Sequence, residues 1–280
     1  MQQKTRAETV LKNKKMYRSI LVMLALTAAG TARLSHADTI SVCYDHWAPM
    51  TIFPSAESPE RGVVIDMLEQ IYTAQGYQLE YYEVPLARGL DMVAQGLCDM
   101  LPEYLYTRNS EKGFVYAAEE TFTYPSAFVV RRDDPWRYDG VQSIQGRRVA
   151  TGPGWDYSSM SAGYQDFISD PQNSDFVEVI AGYDDVVDRI LRMIRDNRVD
   201  IYADNELVLQ YALNRLNLEN ELIVVHPGLE TKLVEMPIFS TAMPAARRQT
   251  LMRIWNEGRL SLKGERERLL LEKYNLTFHE

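Results

Sequence analysis

From Thr39 onward the chain alternates between short β-prone runs and stretches of helical period. Residues 39–45 read as a strand. Between Gly62 and Gln75 the apolar residues Val63, Val64, Met67, Leu68, Ile71 and Tyr72 recur at the spacing of one helix face, and Gly76 is a natural stop. Residues 78–84 predict a second strand. Pro85 opens a helix carrying Leu86, Leu90, Met92 and Val93 that ends at Gly96, and a third strand begins over 99–101. This β-α-β-α-β order implies right-handed crossovers and a parallel sheet covered by helices on both faces.

The pattern resumes after Arg132. Residues 147–151 predict a strand ending in Gly152-Pro153-Gly154, followed by a helix over 157–168, a strand over 176–180 and a helix over 183–197. That last helix sets Val186, Val187, Ile190, Leu191 and Ile194 on one side. On the other, Asp185 with Arg189 and Asp188 with Arg192 form (i, i+4) pairs. Strands follow over 199–202 and 222–225, and a helical tail over 245–274 is interrupted at Gly258 and Gly264. Two long extended segments, 122–131 (FTYPSAFVVR) and 233–241 (LVEMPIFST), remain as connectors between two α/β lobes, an arrangement that suggests a hinge and a cleft, while the pattern alone leaves one continuous sheet open as well.

The first 37 residues follow a different pattern. Lys12, Lys14, Lys15 and Arg18 flank an apolar run over 20–30 that is shorter than the ~20 residues needed to cross a bilayer. Ser35 and Ala37 then supply the small residues of a cleavage site. This is the three-part pattern of an export signal, cleaved before Asp38, with Met16 an alternative start. Removing it takes away a net charge of +6 and leaves −15 on the mature chain. The mature chain is therefore expected in the periplasm, without stable membrane insertion. An anionic ligand would need a local cluster of donors, since the overall field opposes it.

Composition narrows the classes further. With 46% hydrophobic and 25% charged residues the chain can bury a core, which excludes disorder. No basic run beyond the N-terminus suggests nucleic-acid binding. Two cysteines, Cys43 and Cys98, exclude a disulfide scaffold. Export permits a bond between them, yet the predicted register separates them along the strand axis, so a bond and two buried thiols both stay open. His46, His226 and His279 lack metal-ligand spacing, and no nucleophile elbow or Walker loop is present. No metal or cofactor is expected.

Several short motifs then line up over residues 39–274. They are Asp45-His46-Trp47-Ala48-Pro49, Gly62-Val63-Val64-Ile65-Asp66, Gly96-Leu97-Cys98-Asp99, Phe122-Thr123-Tyr124-Pro125, Gly146-Arg147-Arg148-Val149 and Asn197-Arg198-Val199-Asp200. In this order they resemble the extracellular solute-binding protein family 3, the periplasmic receptors of ABC importers for polar amino acids. The resemblance implies an α/β fold of the two-lobe type II periplasmic-binding-protein kind with two extended hinge connections. It places the lobes at 38–126 with 233–280, and at 127–232. It implies a monomer, a small polar solute as ligand and an inner-membrane ABC permease as partner.

The same resemblance points to a cleft. The family's cationic clamp, Thr-x-x-Arg, reads Thr107-Arg108-Asn109-Ser110 here, so Ser110 stands at the clamp position and Arg108 lies two residues early. Either Arg108 turns inward or the ligand has no α-carboxylate. Glu103 and Tyr104 stand where the family often has small hydroxyl residues, and Glu103 there would favour a cationic or polyhydroxy ligand. Trp47 would stack on the ligand, Tyr124 would line the hinge side, and Asp45 reads as a turn residue. In the second lobe Trp155, Asp156 and Tyr157 sit at a strand-to-helix turn that would present helix N-terminal N–H groups. Asp204 would hold an ammonium or cap a helix. Import is the expected role, without catalysis. A sensory binding protein uncoupled from a permease, and a dehydratase of the cyclohexadienyl type with Glu103 or Asp204 as acid, are the alternatives.

Overall fold

A computed structural model describes residues 38–56, 58–106, 113–226 and 232–276. The expected export signal (1–37), Arg108 and Ser110 lie outside the described residues. The chain opens with β1 (Thr39–Tyr44), α1 (Val63–Thr73), β2 (Gln78–Glu83), α2 (Leu86–Ala94), β3 (Met100–Leu105) and β4 (Phe114–Tyr116). β5 (Phe122–Arg131) is the first long connector. β6 (Val149–Thr151), α3 (Ala162–Ser169), β7 (Val177–Val179), α4 (Val186–Arg195), β8 (Ile201–Asn205), α5 (Glu206–Leu216) and β9 (Leu222–Val225) follow. The chain returns through β10 (Lys232–Ser240) to α6 (Ala245–Leu262) and α7 (Glu265–Lys273).

The strands run in the order β2-β1-β3-β10-β5-β8-β6-β7, with β4 beside β10 and β9 beside β5. β1 pairs in parallel with β2 and β3, and β6 with β7 and β8. β5 joins the halves by changing partners. Its residues Phe122 to Pro125 pair with β10, whereas Ser126 to Arg131 pair with β8 and β9. The switch falls at Pro125, which has no N–H to give a continuous ladder. The two-lobe architecture expected from the sequence is thus present, with both extended segments forming strands at the junction.

Core packing follows the alternation. Ile40, Val42 and Tyr44 of β1 meet the apolar stripe of α1, whereas Cys43 faces Val93 of α2 with Leu101 and Ile238. β1 is therefore covered on both sides, as a parallel strand must be. In the other half Ile190, Leu191 and Ile194 of α4 are fully buried, and the pairs Asp185–Arg189 and Asp188–Arg192 stand on its outer side.

Several details differ from the sequence expectations. Cys43 and Cys98 are bonded, with Cα atoms 5.9 Å apart. β3 starts at Met100, and Cys98 lies in the turn before it. There the backbone folds back on α2 (Leu97 N donates to Met92 O) and on β1 (Asp99 N donates to Ser41 O), bringing Cys98 beside Cys43 rather than along a distant register. Gly258 does not interrupt the tail. α6 runs through it, and a Cβ there would stand 2.6 Å from Ile71 Cγ2. Its lack of a side chain serves helix packing, and the break falls at Lys263–Gly264. The helix expected over 157–168 begins only at Ala162, where the Ser161 side chain accepts from Tyr164 N as its cap. Helix α5, which the periodicity did not single out, follows β8 directly.

Candidate functional site

One cavity holds most of the candidate residues. It contains about 480 Å³ of empty space, its open mouth included, and draws its lining from both lobes. β1 delivers Asp45, and the turn behind it delivers Trp47. β3 contributes Glu103 and Tyr104, and β10 contributes Glu235. From the other half come Trp155, Asp156 and Tyr157 on the loop after β6, and Asp204 at the end of β8. Leu86, Leu105 and Leu233 supply apolar wall.

The halves touch across this cavity. Trp47 Nε1 donates to Asp204 Oδ2 at 3.2 Å. At the rim the Phe53 and Tyr183 rings lie 4.7 Å apart, and the Tyr183 hydroxyl donates to Glu83 O. An added Cβ on Gly154 would stand 3.5 Å from Ala87.

Asp204 sits in a donor-rich pocket. Besides the Trp47 indole, Tyr202 OH donates to Oδ2 and Asn205 N donates to Oδ1 at 2.7 Å. Burial nevertheless dominates and pushes its pKa up to about 6. Asp204 does not cap the following helix. Asn205 does, its side chain accepting from Leu207 N.

The other carboxyl groups are poorer in donors. Glu103 is only 4% exposed. Thr51 Oγ1 donates to its Oε1 at 3.2 Å, while Oε2 has no hydrogen-bond partner among the described residues. Burial, then the charge of nearby Glu235, raise its pKa well above an ordinary glutamate's. Glu235, 3% exposed, is raised for the same first reason, with Asp204 and Asp45 adding repulsion. Asp45 is pushed up to about 7 by desolvation, with the Asp204 charge contributing. Among the described residues, no Lys or Arg lines the cavity.

This arrangement sets a pH dependence. A carboxyl whose folded pKa lies above its unfolded value (~4 for Asp and Glu) binds more protons when folded. Its contribution to stability is full below that unfolded value and is lost as pH rises through the folded one. Asp204 and Asp45 place the loss between about pH 4 and 7, and Glu103 and Glu235 extend it upward. His46 opposes them with one group: burial lowers its pKa, and its Nδ1 accepts from Phe53 N. Asp134 and Asp200, where burial is outweighed by hydrogen bonds from Arg147 and Arg148, sit lower than an ordinary aspartate and act only below this window. The unliganded protein is expected to melt at a higher temperature at pH 5 than at pH 8. The double variant Glu103→Gln, Glu235→Gln is expected to flatten that slope, as scanning calorimetry across the range will show. A wild-type slope of the opposite sign would contradict the assignment.

Of the sequence-based candidates, Trp47, Glu103, Tyr104, Trp155, Asp156, Tyr157 and Asp204 all reach the cavity. Tyr124 does not line it. It is fully buried behind Trp47, ring centroids 6.2 Å apart and nearly perpendicular, because its position on β5 points into the core. The loop 152–157 is no helix start, since α3 begins at Ala162, so the expected array of helix N–H groups is not formed there. Asp45 lines the cavity rather than serving only the turn. Glu235 was missed altogether, although a lone acid inside the apolar run LVEMPIFST was a visible signal.

No protein-family model matches this chain, and no curated protein matches it by sequence. Solved structures do resemble it. One is a histidine kinase sensor domain described as similar to periplasmic binding proteins (TM-score 0.68, 16% identity, 85% of this chain and 96% of that one). Another is a putative L-cystine ABC transporter protein from Listeria monocytogenes (TM-score 0.67, 14% identity, 85% and 96%). A third is an ancestral amino acid-binding protein described as a precursor of cyclohexadienyl dehydratase (TM-score 0.63, 14% identity, 84% and 95%). At such identities the likeness is one of fold, and the fold of this chain is that of the periplasmic binding proteins.

Proposed function

We propose that this chain is an exported solute-binding protein that captures a small polar compound between its lobes and presents the closed form to an ABC-type importer. The lobes are residues 38–126 with 233–280, and 127–232. The observation that carries this reading is that polar side chains from both lobes converge on one cavity, with Trp47 of one bonded to Asp204 of the other. A solute held on one side alone would leave its polar groups half satisfied, at roughly 1–3 kcal/mol for each buried group without a partner. Closure supplies the missing partners. The likeness to a putative L-cystine ABC transporter protein supports the transport role, and the likeness to a sensor domain supports presentation of the same closed form to a receptor.

A thermal-shift screen of amines, amino acids, organic acids and sugars tests the reading. A ligand present at a hundred times its dissociation constant is expected to stabilise by about 2.7 kcal/mol, and small-angle scattering should show compaction with that ligand. A scattering profile identical with and without a confirmed ligand would remove the clamshell mechanism.

One observation favours a catalytic reading. Glu103 is buried and holds its proton to unusually high pH, as a general acid for loss of a hydroxyl group would. Water elimination from prephenate or arogenate by the purified protein would establish that reading. Saturable binding without turnover would exclude it for these two compounds.

A further inference from the structure

Resting on the binding reading above, we propose that the cavity takes a short aliphatic compound with two cationic nitrogen groups and no carboxylate. Five carboxyl side chains line it from both lobes: Asp45 after β1, Glu103 on β3 and Glu235 on β10 from one, and Asp156 after β6 and Asp204 on β8 from the other. Glu103 Oε2 is a second, independent sign of a missing partner. It is buried, on a residue lining the cavity, and nothing among the described residues donates to it. An ammonium or amidinium group offers several donors and a positive charge, which is what such oxygens lack.

The charge count points to two groups rather than one. Asp156 and Asp204 belong to one lobe and the other three acids to its opposite, so closing on an empty cavity brings like charges together. A compound with one cationic end for Glu103 and Glu235, and another for Asp204, cancels that repulsion from both sides. Trp47 and Trp155 add aromatic faces that attract cations, and the three leucines of the wall suit a methylene chain between the ends. The acids do not form a metal site: among the described residues no three His, Cys, Asp or Glu side chains are placed to hold an ion. Nor do the described residues supply the basic group that an α-carboxylate would need.

The test uses matched pairs in titration calorimetry on the whole mature protein: 1,5-diaminopentane against lysine, agmatine against arginine, and butylamine as a monocation, with glutamate and glucose as controls. We expect the decarboxylated member of each pair to bind at least tenfold tighter than its amino acid and than butylamine. Because a bound cation favours the ionised acids, binding should release protons, seen as a buffer-dependent heat. The double variant Glu103→Gln, Glu235→Gln should lose at least tenfold in affinity while melting no lower than the wild type, since neutral amides replace buried acids. Tighter binding of the parent amino acids, or no amine binding at millimolar concentration, overturns the proposal. If glutamate or glucose binds and compacts the protein while amines do not, only the ligand class falls and the binding reading stands. If no compound of any class alters the scattering profile, both fall.

Discussion

Reduction of the Cys43–Cys98 bond is expected to lower the stability of the protein by about 4 kcal/mol. The bond links positions 55 residues apart, and closing a loop of that size removes about that much conformational freedom from the unfolded chain. Both residues are fully buried in the folded protein, packed with Val93 and Leu101, so the native lobe retains its shape when the sulfurs part. Urea unfolding with and without reductant measures the difference, with mass spectrometry confirming the thiol state. A reduced protein within about 1 kcal/mol of the oxidised one would show that the denatured chain already holds the two segments together. The effect also reaches the cavity, because the bond ties the turn before β3, which carries Glu103, to β1, which leads into Asp45.

Substitution of Arg259 by alanine is expected to cost about 3–5 kcal/mol, as is typical when one partner of a buried ion pair is removed. Arg259 is 2% exposed in the last turn of α6. Its Nε donates to the carbonyls of Glu120 and Thr121 at 3.1 and 3.0 Å, its Nη2 donates to Glu267 at 2.7 Å, and its guanidinium lies 5.2 Å from the Phe122 ring centre. Trp255 Nε1 adds a bond to Glu119 O from the same helix. Alanine leaves two carbonyls and a carboxylate without their donor, immediately before the strand that crosses between lobes. Arg259→Lys should recover only part of the loss, because a point charge cannot serve carbonyls and carboxylate at once. Chemical denaturation of the two variants gives the comparison. A loss below about 1 kcal/mol for the alanine variant would mean that water replaces the guanidinium.

Much of the architecture was legible because it depends on local periodicity. The α1 stripe from Val63 to Tyr72, the strand 122–131 and the return strand near 233–241 each announce themselves by the spacing of their apolar residues, whatever their neighbours are. Boundaries set by contacts at a distance were not legible. Gly258 looks like a break until Ile71 is seen against it, and residues 157–161 look helical until Ser161 is seen to cap a later start. The site divides in the same way. Glu103 and Asp204 stood out through the positions they hold in the resemblance to the solute-binding family. Asp45 was assigned to a turn because Asp204, which shares the cavity with it, lies 159 positions further along the chain.

By itself, then, the sequence marked out the alternating α/β elements and the extended segments that join them, and its resemblance to the solute-binding family drew attention to Ser110 where that family carries an arginine. Only the tertiary structure decided that Glu235 joins Glu103, that Tyr124 turns into the core, that Cys98 reaches Cys43, and that Asp204 meets Trp47. The physical reason is range. Helices and strands are selected by side chains a few positions apart, whereas the charge environment of a buried acid is the sum over whatever the whole fold brings within a few ångströms of it.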